Sequence, residues 1–179
     1  MTRTLQLRNR QRIRAVHLPL LRRLVRHLLT QHFQPGQFEL CIHLVARPEM
    51  TCLNGAFLQH SGSTDVITFD HSDHPRLQTP DCKPQLHGEI FISLDDAVAQ
   101  AVEFHTTWQS ELTRYIVHGL LHLHGYDDRH PAARRKMKRE ENRLLQALAN
   151  EFPIPQLARL GPQTRAAPAA KSRRFPLSK

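Results

Sequence analysis

The stretch HGLLHLHGYDDRH constrains the fold of this chain more than any other part of the sequence. It follows WQSELTRYIV, and we predict one helix through both segments, ended by a left-handed turn at Gly125. On this helix His118 and His122 project about 40° apart on one face, one turn from each other. Two imidazoles placed in this way can bind one metal ion. The stretch therefore predicts a metal site on a helix.

A third ligand has to come from beyond the helix. His124 lies about 240° around the helix from His118 and is a poor candidate. The turn at Gly125 can bring back a later side chain, and the candidates are Asp127, Asp128 and His130. Asp127 could instead accept a hydrogen bond from the ring nitrogen of a histidine that does not face the metal, or it could order the turn. Three protein ligands leave one position open, which is typical of catalytic zinc.

Two features of the sequence bear on how specific this motif is. An isolated HxxxH pair in a chain with 13 histidines would more often be structural, but a pair followed by a glycine stop and an acidic turn is more specific. Proteolytic zinc helices read HExxH, and their glutamate is the general base. Gly119 occupies that position here and cannot transfer a proton. We expect it to allow close approach of another part of the chain or of a substrate.

Length and composition place the chain among single-domain proteins. Its 179 residues are enough for one hydrophobic core. The sequence contains neither a long apolar run nor a signal-peptide pattern at its basic start. The three cysteines lack CxxC spacing, which argues against a disulfide framework. We therefore expect a cytoplasmic protein with reduced thiols.

The net charge of +9 is concentrated at the two ends of the chain. Residues 1–26 contain eight arginines and no acid, and residues 154–179 contain six basic residues and no acid. Basic ends of this kind favour contact with a polyanion such as nucleic acid. They are equally consistent with termini that are simply solvated.

Hydrophobic periodicity predicts an α+β fold, with a small sheet of about four strands packed against about five helices. The predicted strands are TLQLRN, FELCIHLV, DVITF and GEIFISL. The predicted helices are VHLPLLRRLVRHLLTQHF, PEMTCLNGAFLQH, LDDAVAQAVEFH, WQSELTRYIVHGLLHLH and AARRKMKREENRLLQALANEF. Residues 71–85 are predicted to form a long polar loop. We assign residues 1–152 to one zinc-binding domain and residues 153–179 to a disordered basic tail.

Three segments together resemble the YbeY family, bacterial endoribonucleases of ribosomal RNA maturation. HGLLHLHGYDD is similar to the family signature HGxLHLxGYDH and differs only at its last residue. LNGAFLQHSGSTDVITF and GEIFIS resemble two further family segments in the same order. The likeness spans roughly residues 38–150. It implies a small mixed sheet with helices, related in outline to zinc metalloproteases.

The resemblance also implies one zinc ion per chain, bound by His118, His122 and the residue at position 128. That residue is Asp128 here, where the family usually has histidine. A carboxylate oxygen is a competent zinc ligand, so we favour Asp128. His130, two residues later, remains the rival third ligand.

The sequence also lacks an arginine that the family usually has. The segment after LN usually contains Tyr-Arg, whose arginine is thought important for RNA cleavage, and the aligned residues here are Phe57 and Leu58. No arginine occurs between Arg47 and Arg76. Either another cation stabilises the phosphate, for example one from the basic ends, or the activity is weaker.

The predicted function is a zinc-dependent endoribonuclease acting on single-stranded regions in ribosomal RNA processing and ribosome biogenesis. The implied partners are ribosomal RNA and, further, ribosomal proteins or the small ribosomal subunit, with no membrane. The alternative is a non-catalytic assembly factor that keeps zinc for structure, which Leu58 favours. A metallohydrolase with another substrate is disfavoured by Gly119 and the basic ends. The RNA-contacting residues are not assigned.

Overall fold

A four-stranded mixed sheet forms the centre of the protein. The computed structural model describes residues 2–72 and 85–159. The strand order is β1-β2-β4-β3, in which β2 pairs in parallel with β1 and β4, while β3 is antiparallel to β4. The strands are β1 Arg3–Asn9, β2 Gln37–Val45, β3 Val66–Asp70 and β4 Gln85–Ser93.

Five α-helices accompany the sheet in the described part of the chain. They are α1 Leu18–His27, α2 Arg47–Leu53, α3 Leu94–Glu103, α4 Trp108–Leu123 and α5 Pro131–Glu151. Wider helical turns extend α1 through Leu28–Phe33 and α2 through Asn54–Leu58. The predicted α+β class, with about four strands and five helices, is confirmed. No helix among the described residues is long and apolar enough to span a membrane.

Local sequence signals set the ends of the two helices nearest the site. The Ser93 hydroxyl accepts a hydrogen bond from the Asp96 backbone N–H and caps α3. The Thr107 hydroxyl caps α4 by accepting a hydrogen bond from the Ser110 backbone N–H. These side chains satisfy backbone donors that the first helical turn leaves without partners.

The alternation in FELCIHLV predicts a half-buried strand, and β2 agrees at the exposed Glu39 and the half-buried Cys41 but is buried on both faces from Ile42 to Val45. Its predicted inner side chains are buried in the main core, namely Phe38, Leu40, Ile42 and Leu44. On the other face a second, smaller core contains Val45, Met50, Ile67 and Phe91. His43 on that face is also buried, at 3% exposure, although alternation placed it outward. Helix α2, which begins two residues after β2, covers this part of the sheet through Met50. Alternation within the strand does not reveal this cover.

The folded domain continues beyond its predicted end at residue 152. Ile154–Leu157 forms a short 3-10 helix, and Leu157 is fully buried in the main core. Ala158 then forms a β-bridge with Val16. Residues 153–159 are thus part of the domain. The rest of the predicted tail and most of the predicted polar loop lie outside the described residues.

Gly119 allows α4 to lie close against the sheet. A Cβ atom at this position would be 2.8 Å from Cγ2 of Ile90 on β4 and 3.3 Å from Cγ2 of Thr68 on β3. Real Cβ contacts are longer than the first distance, and Ile90 is fully buried. The close approach expected of Gly119 is therefore made by side chains of the sheet.

We expect Gly119→Ala to lower the free energy of unfolding by on the order of 1 kcal/mol. Overpacking against Ile90 costs about 1–3 kcal/mol, and the better helix propensity of alanine offsets about 1 kcal/mol. Chemical denaturation measures the change. Gly55→Ala is the matched control, because the nearest atom to its new Cβ would be 3.9 Å away. Equal stability of the two variants would contradict the packing role.

Candidate metal centre

The turn after α4 is held by a regular set of backbone hydrogen bonds. The Tyr126 N–H donates to the Leu121 carbonyl, and the Gly125 N–H donates to the His122 carbonyl. Gly125 has φ of 93°, a conformation that glycine adopts without strain. This is the hydrogen-bond pattern of a Schellman helix end, and it reverses the chain immediately beyond His122. The predicted termination of the helix at Gly125 is thus present.

His118 and His122 direct one nitrogen each at the same point. Their Nε2 atoms are 3.0 Å apart. On the far side of each ring, Nδ1 of His118 is 3.1 Å from a Glu141 carboxylate oxygen, and Nδ1 of His122 is 3.2 Å from the Tyr126 carbonyl oxygen. Both of these oxygens are acceptors, so each Nδ1 carries the ring proton. The two Nε2 lone pairs are left facing each other.

Two lone pairs at this distance repel unless a cation lies between them. A proton is a poor candidate, because burial lowers the pKa of His122 and the neighbouring His118 lowers it further. A metal ion is favoured by the same arrangement, since imidazole binds metal in its neutral form with the second nitrogen donating to an acceptor. The histidine pair therefore fits a divalent cation.

The structure brings one of the candidate third ligands to this pair. One donor atom each from His118, His122 and Asp128 lie within 4.8 Å of one another. Oδ2 of Asp128 is 4.0 Å from Nε2 of His122. His130 is exposed at the start of α5 and does not belong to this group. The geometry thus favours Asp128 over His130 as the third donor.

Asp127 and His124, the remaining residues considered as ligands, make other contacts. Asp127 orders the turn, because its carboxylate accepts from the backbone N–H and the Nε of Arg129, both at 3.1 Å. Those bonds lower the pKa of Asp127. The His124 ring packs edge-on against Phe33, with ring centroids 5.1 Å apart. Neither residue belongs to the donor group.

Glu141 on α5 is the buried anion behind the site. It is 3% exposed, and its carboxylate also accepts from Arg114 at 2.6 Å and from Lys138 at 2.8 Å. Burial alone would raise the pKa of Glu141, but hydrogen bonds from His118, Lys138 and Arg114 lower it to about 2. Glu141 therefore stays ionised at neutral pH. Its negative charge orients the His118 ring and fixes the proton on Nδ1.

A cavity of about 260 Å³ adjoins the donor group. Its lining includes His118, Asp128 and the carboxylate-bearing Asp65, together with three cations. These cations are Arg114 of α4 and Arg134 and Lys138 of α5. They supply positive charge beside the donor group, whereas Leu58, at the position of the family arginine, is 47% exposed and lines a different cavity. In the described part of the chain, the charge beside the site thus comes from helices α4 and α5.

Sequence reasoning did not identify Glu141 or Arg114, although each leaves a signal. Met137, Leu144 and Leu148 define the buried stripe of α5, and position 141 lies on that stripe. A charged residue on an apolar stripe indicates a buried partner. Arg114 lies four residues before His118 and so shares its helix face. Neither signal identifies the partner, because α4 and α5 meet only in the folded chain.

The fold and the donor group define an α+β protein with a candidate metal centre carried on a helix. The sequence profile of the family described as "Endoribonuclease YbeY" matches residues 6–149. The chain therefore belongs to the YbeY endoribonuclease family.

Curated relatives agree with this assignment. The "Endoribonuclease YbeY" of Chlorobium phaeovibrioides is 34% identical over 81% of this chain and 90% of its own length. That of Salinibacter ruber is 40% identical over 54% of this chain, and that of Parabacteroides distasonis is 40% identical over 55%. In these two matches the chain spans only 61% and 63% of the relatives' length.

A solved structure supports the fold. The solution structure of TM1509 from Thermotoga maritima superposes with a TM-score of 0.53 and 24% identity. The match covers 85% of this chain and 95% of that protein. It shows a shared architecture of sheet and helices.

We expect Glu141→Gln to weaken divalent-metal binding about 10–100-fold, the usual cost of losing a hydrogen-bonding partner of a metal ligand. An amide presents one donor group, which must face Arg114, Lys138 or the His118 ring, all of which donate to Glu141 here. Competition with a chelating dye measures the affinity. Glu140→Gln is the control, since Glu140 pairs with Arg143 instead. An equal loss in both variants would contradict the role of Glu141.

Proposed function

We propose that this protein is a metal-dependent endoribonuclease acting in ribosomal RNA maturation. The observation that carries the proposal is the pair of Nε2 atoms of His118 and His122, 3.0 Å apart, with both Nδ1 atoms held by acceptors. Membership of the family described as "Endoribonuclease YbeY" supports an RNA substrate.

Zinc is the proposed metal, held by His118, His122 and Asp128. Two imidazoles and a carboxylate form a borderline donor set that suits zinc, and three protein ligands leave a position for substrate. Zinc when bound would polarise a phosphate oxygen or make a water molecule more acidic. The chain's own contribution is orientation, because Glu141 and the Tyr126 carbonyl hold the ring protons away from the binding point.

The cations beside the site suit a phosphodiester substrate. Arg114 and Lys138 both form ion pairs with the carboxylate of Glu141. Arg134 donates through Nε to the backbone carbonyl of Asp128. Each guanidinium has five N–H donors, so both arginines retain further donors for phosphate oxygens.

Peptide hydrolysis is disfavoured by Gly119. It stands where the HExxH motif has its glutamate, and glycine cannot take part in proton transfer.

A non-catalytic ribosome-assembly factor is the second candidate, favoured by the exposed Leu58 in place of the family arginine. In either case we propose ribosomal RNA as the partner, with ribosomal proteins or the small ribosomal subunit as further partners. A cytoplasmic location would agree with this substrate and with the free thiols of Cys41 and Cys52.

We expect Asp128→Ala to lose about one zinc ion per chain on dialysis against a chelator, because only two of the three ligands remain. His130→Ala should retain zinc like the unmodified protein, since His130 is exposed and outside the donor group. Elemental analysis of the dialysed proteins measures the content. The opposite order would identify His130 as the third ligand.

We expect zinc-loaded protein to cleave structured ribosomal RNA, and the variant His118→Ala/His122→Ala to lose this activity by at least about 10³-fold. The metal supplies several kcal/mol of transition-state stabilisation, so its removal has a large effect. Gel analysis of end-labelled RNA follows cleavage, and filter binding follows affinity. Unfolding curves show whether the variant is folded.

Two results would count against catalysis. RNA binding without cleavage by either protein would favour the assembly factor. Equal cleavage by both proteins would assign the activity to a contaminant or to another site.

A further inference from the structure

A second group of potential ligands lies on the other face of the sheet. Cys41, His43 and Glu89 each offer one donor atom, and these atoms all lie within 4.8 Å of one another. On β4, Ile90 faces Gly119 of α4, so the alternating residue Glu89 faces the opposite side. The sheet therefore separates this group from His118, His122 and Asp128.

Strand register creates the group. Cys41 and His43 are two residues apart on β2 and share a face, and Cys41 is paired with Glu89 on the neighbouring parallel strand β4. His43 is paired with Phe91, and the two rings stack 4.2 Å apart at an interplanar angle of 4°. The stacking fixes the plane of the imidazole. The three donors are thus held by regular backbone pairing rather than by a loop.

His43 lacks the partners that a buried histidine normally has. Its side chain is 97% buried, and neither ring nitrogen has a hydrogen-bond partner within residues 2–72 and 85–159. Nε2 points toward Glu89 but stops 3.7 Å from its Oε1. Burial lowers the pKa of His43, while the neighbouring Glu89 carboxylate acts in the opposite direction. Buried polar groups without partners are uncommon and call for an explanation.

We propose that Cys41, His43 and Glu89 form a second cation site, selective for a thiophilic divalent metal such as zinc. Thiolate, imidazole and carboxylate are all established zinc ligands. Neighbouring ligand atoms in tetrahedral zinc sites are roughly 3.3–3.6 Å apart, so donors within 4.8 Å need only small side-chain adjustments. The thiol of Cys41 gives up its proton when the metal binds. Calcium and magnesium are disfavoured because they prefer oxygen ligands.

The surrounding charges limit the affinity but do not exclude the metal. Arg8 and Arg10 lie close enough to act electrostatically on Cys41 and His43, and both disfavour a cation. Arg10 is also paired with Glu49 at 2.6 Å, which offsets part of its charge. The Cys41 thiolate and the Glu89 carboxylate would together contribute two negative charges to the site. We therefore expect the two arginines to lower the affinity for zinc without abolishing binding.

Cobalt substitution tests the proposal, because a thiolate ligand gives a near-ultraviolet charge-transfer band that imidazole and carboxylate ligands do not give. Metal-free full-length protein is titrated with Co²⁺ and followed by absorption. We expect about two bound ions per chain and the thiolate band, since each three-donor group binds one ion. The band should disappear in Cys41→Ser and persist in Cys52→Ser/Cys82→Ser. It should also persist in His118→Ala/His122→Ala, so a failure of the proposed ribonuclease site leaves this result unaffected.

Glu89→Gln is a second, milder variant in case Cys41→Ser does not fold. The change is isosteric at a partly exposed position, and it should weaken Co²⁺ binding at the thiolate site by more than the 10–100-fold that loss of an outer partner costs. Absence of the band from the unmodified protein would overturn the proposal. Its persistence in Cys41→Ser, or an unchanged affinity in Glu89→Gln, would do the same.

Discussion

The contact between Gly119 and Ile90 determines where α4 lies on the sheet, and the candidate metal centre depends on that position. A side chain at residue 119 would meet the buried Ile90 at 2.8 Å, so the helix can approach this closely only with glycine. The same helix carries His118 and His122 and packs against both α3 and α5. Its depth on the sheet therefore sets the distance between His118 and Glu141.

Hydrogen bonding to Glu141 explains how the His118 ring is oriented. The buried carboxylate holds one cation from α4, one from α5 and the ring proton of His118. A buried charge is stable only when it is paired and fully hydrogen-bonded, and Glu141 meets that condition. The cost of burying it is offset by bonds that also position the ligand. Removing the anion would thus affect both the packing of two helices and the metal centre.

The two faces of the sheet carry different chemistry. The inner group, at His118, lies beside a cavity whose lining carries three cations and three carboxylates. The outer group, at Cys41, is built on paired strands with a nearly buried imidazole between a thiol and a carboxylate. Rigid strands hold ligands in place but leave little room for a substrate. The inner group therefore adjoins space for a ligand, whereas the outer group lies on the paired strands themselves.

Local sequence determined the features that depend on near neighbours. The helical spacing of His118 and His122, the stop at Gly125 and the alternation in β2 all follow from backbone geometry over a few residues. The structure contains the spacing and the stop, and β2 keeps its alternation except at His43, which is buried. The family signature also placed Asp128 in the register of the third ligand, and the turn brings it to the histidine pair.

Only the tertiary structure decided which distant side chains meet. Glu141 is 23 residues from His118, and Glu89 is brought beside Cys41 by strand pairing alone. The end of the domain was likewise decided by Leu157, which enters a core formed mainly by earlier segments. Periodicity shows which face of an element is buried, but the face it packs against depends on how the whole chain buries its apolar surface. For that reason the histidine pair could be read from the sequence, whereas the anion behind it and the second ligand group could not.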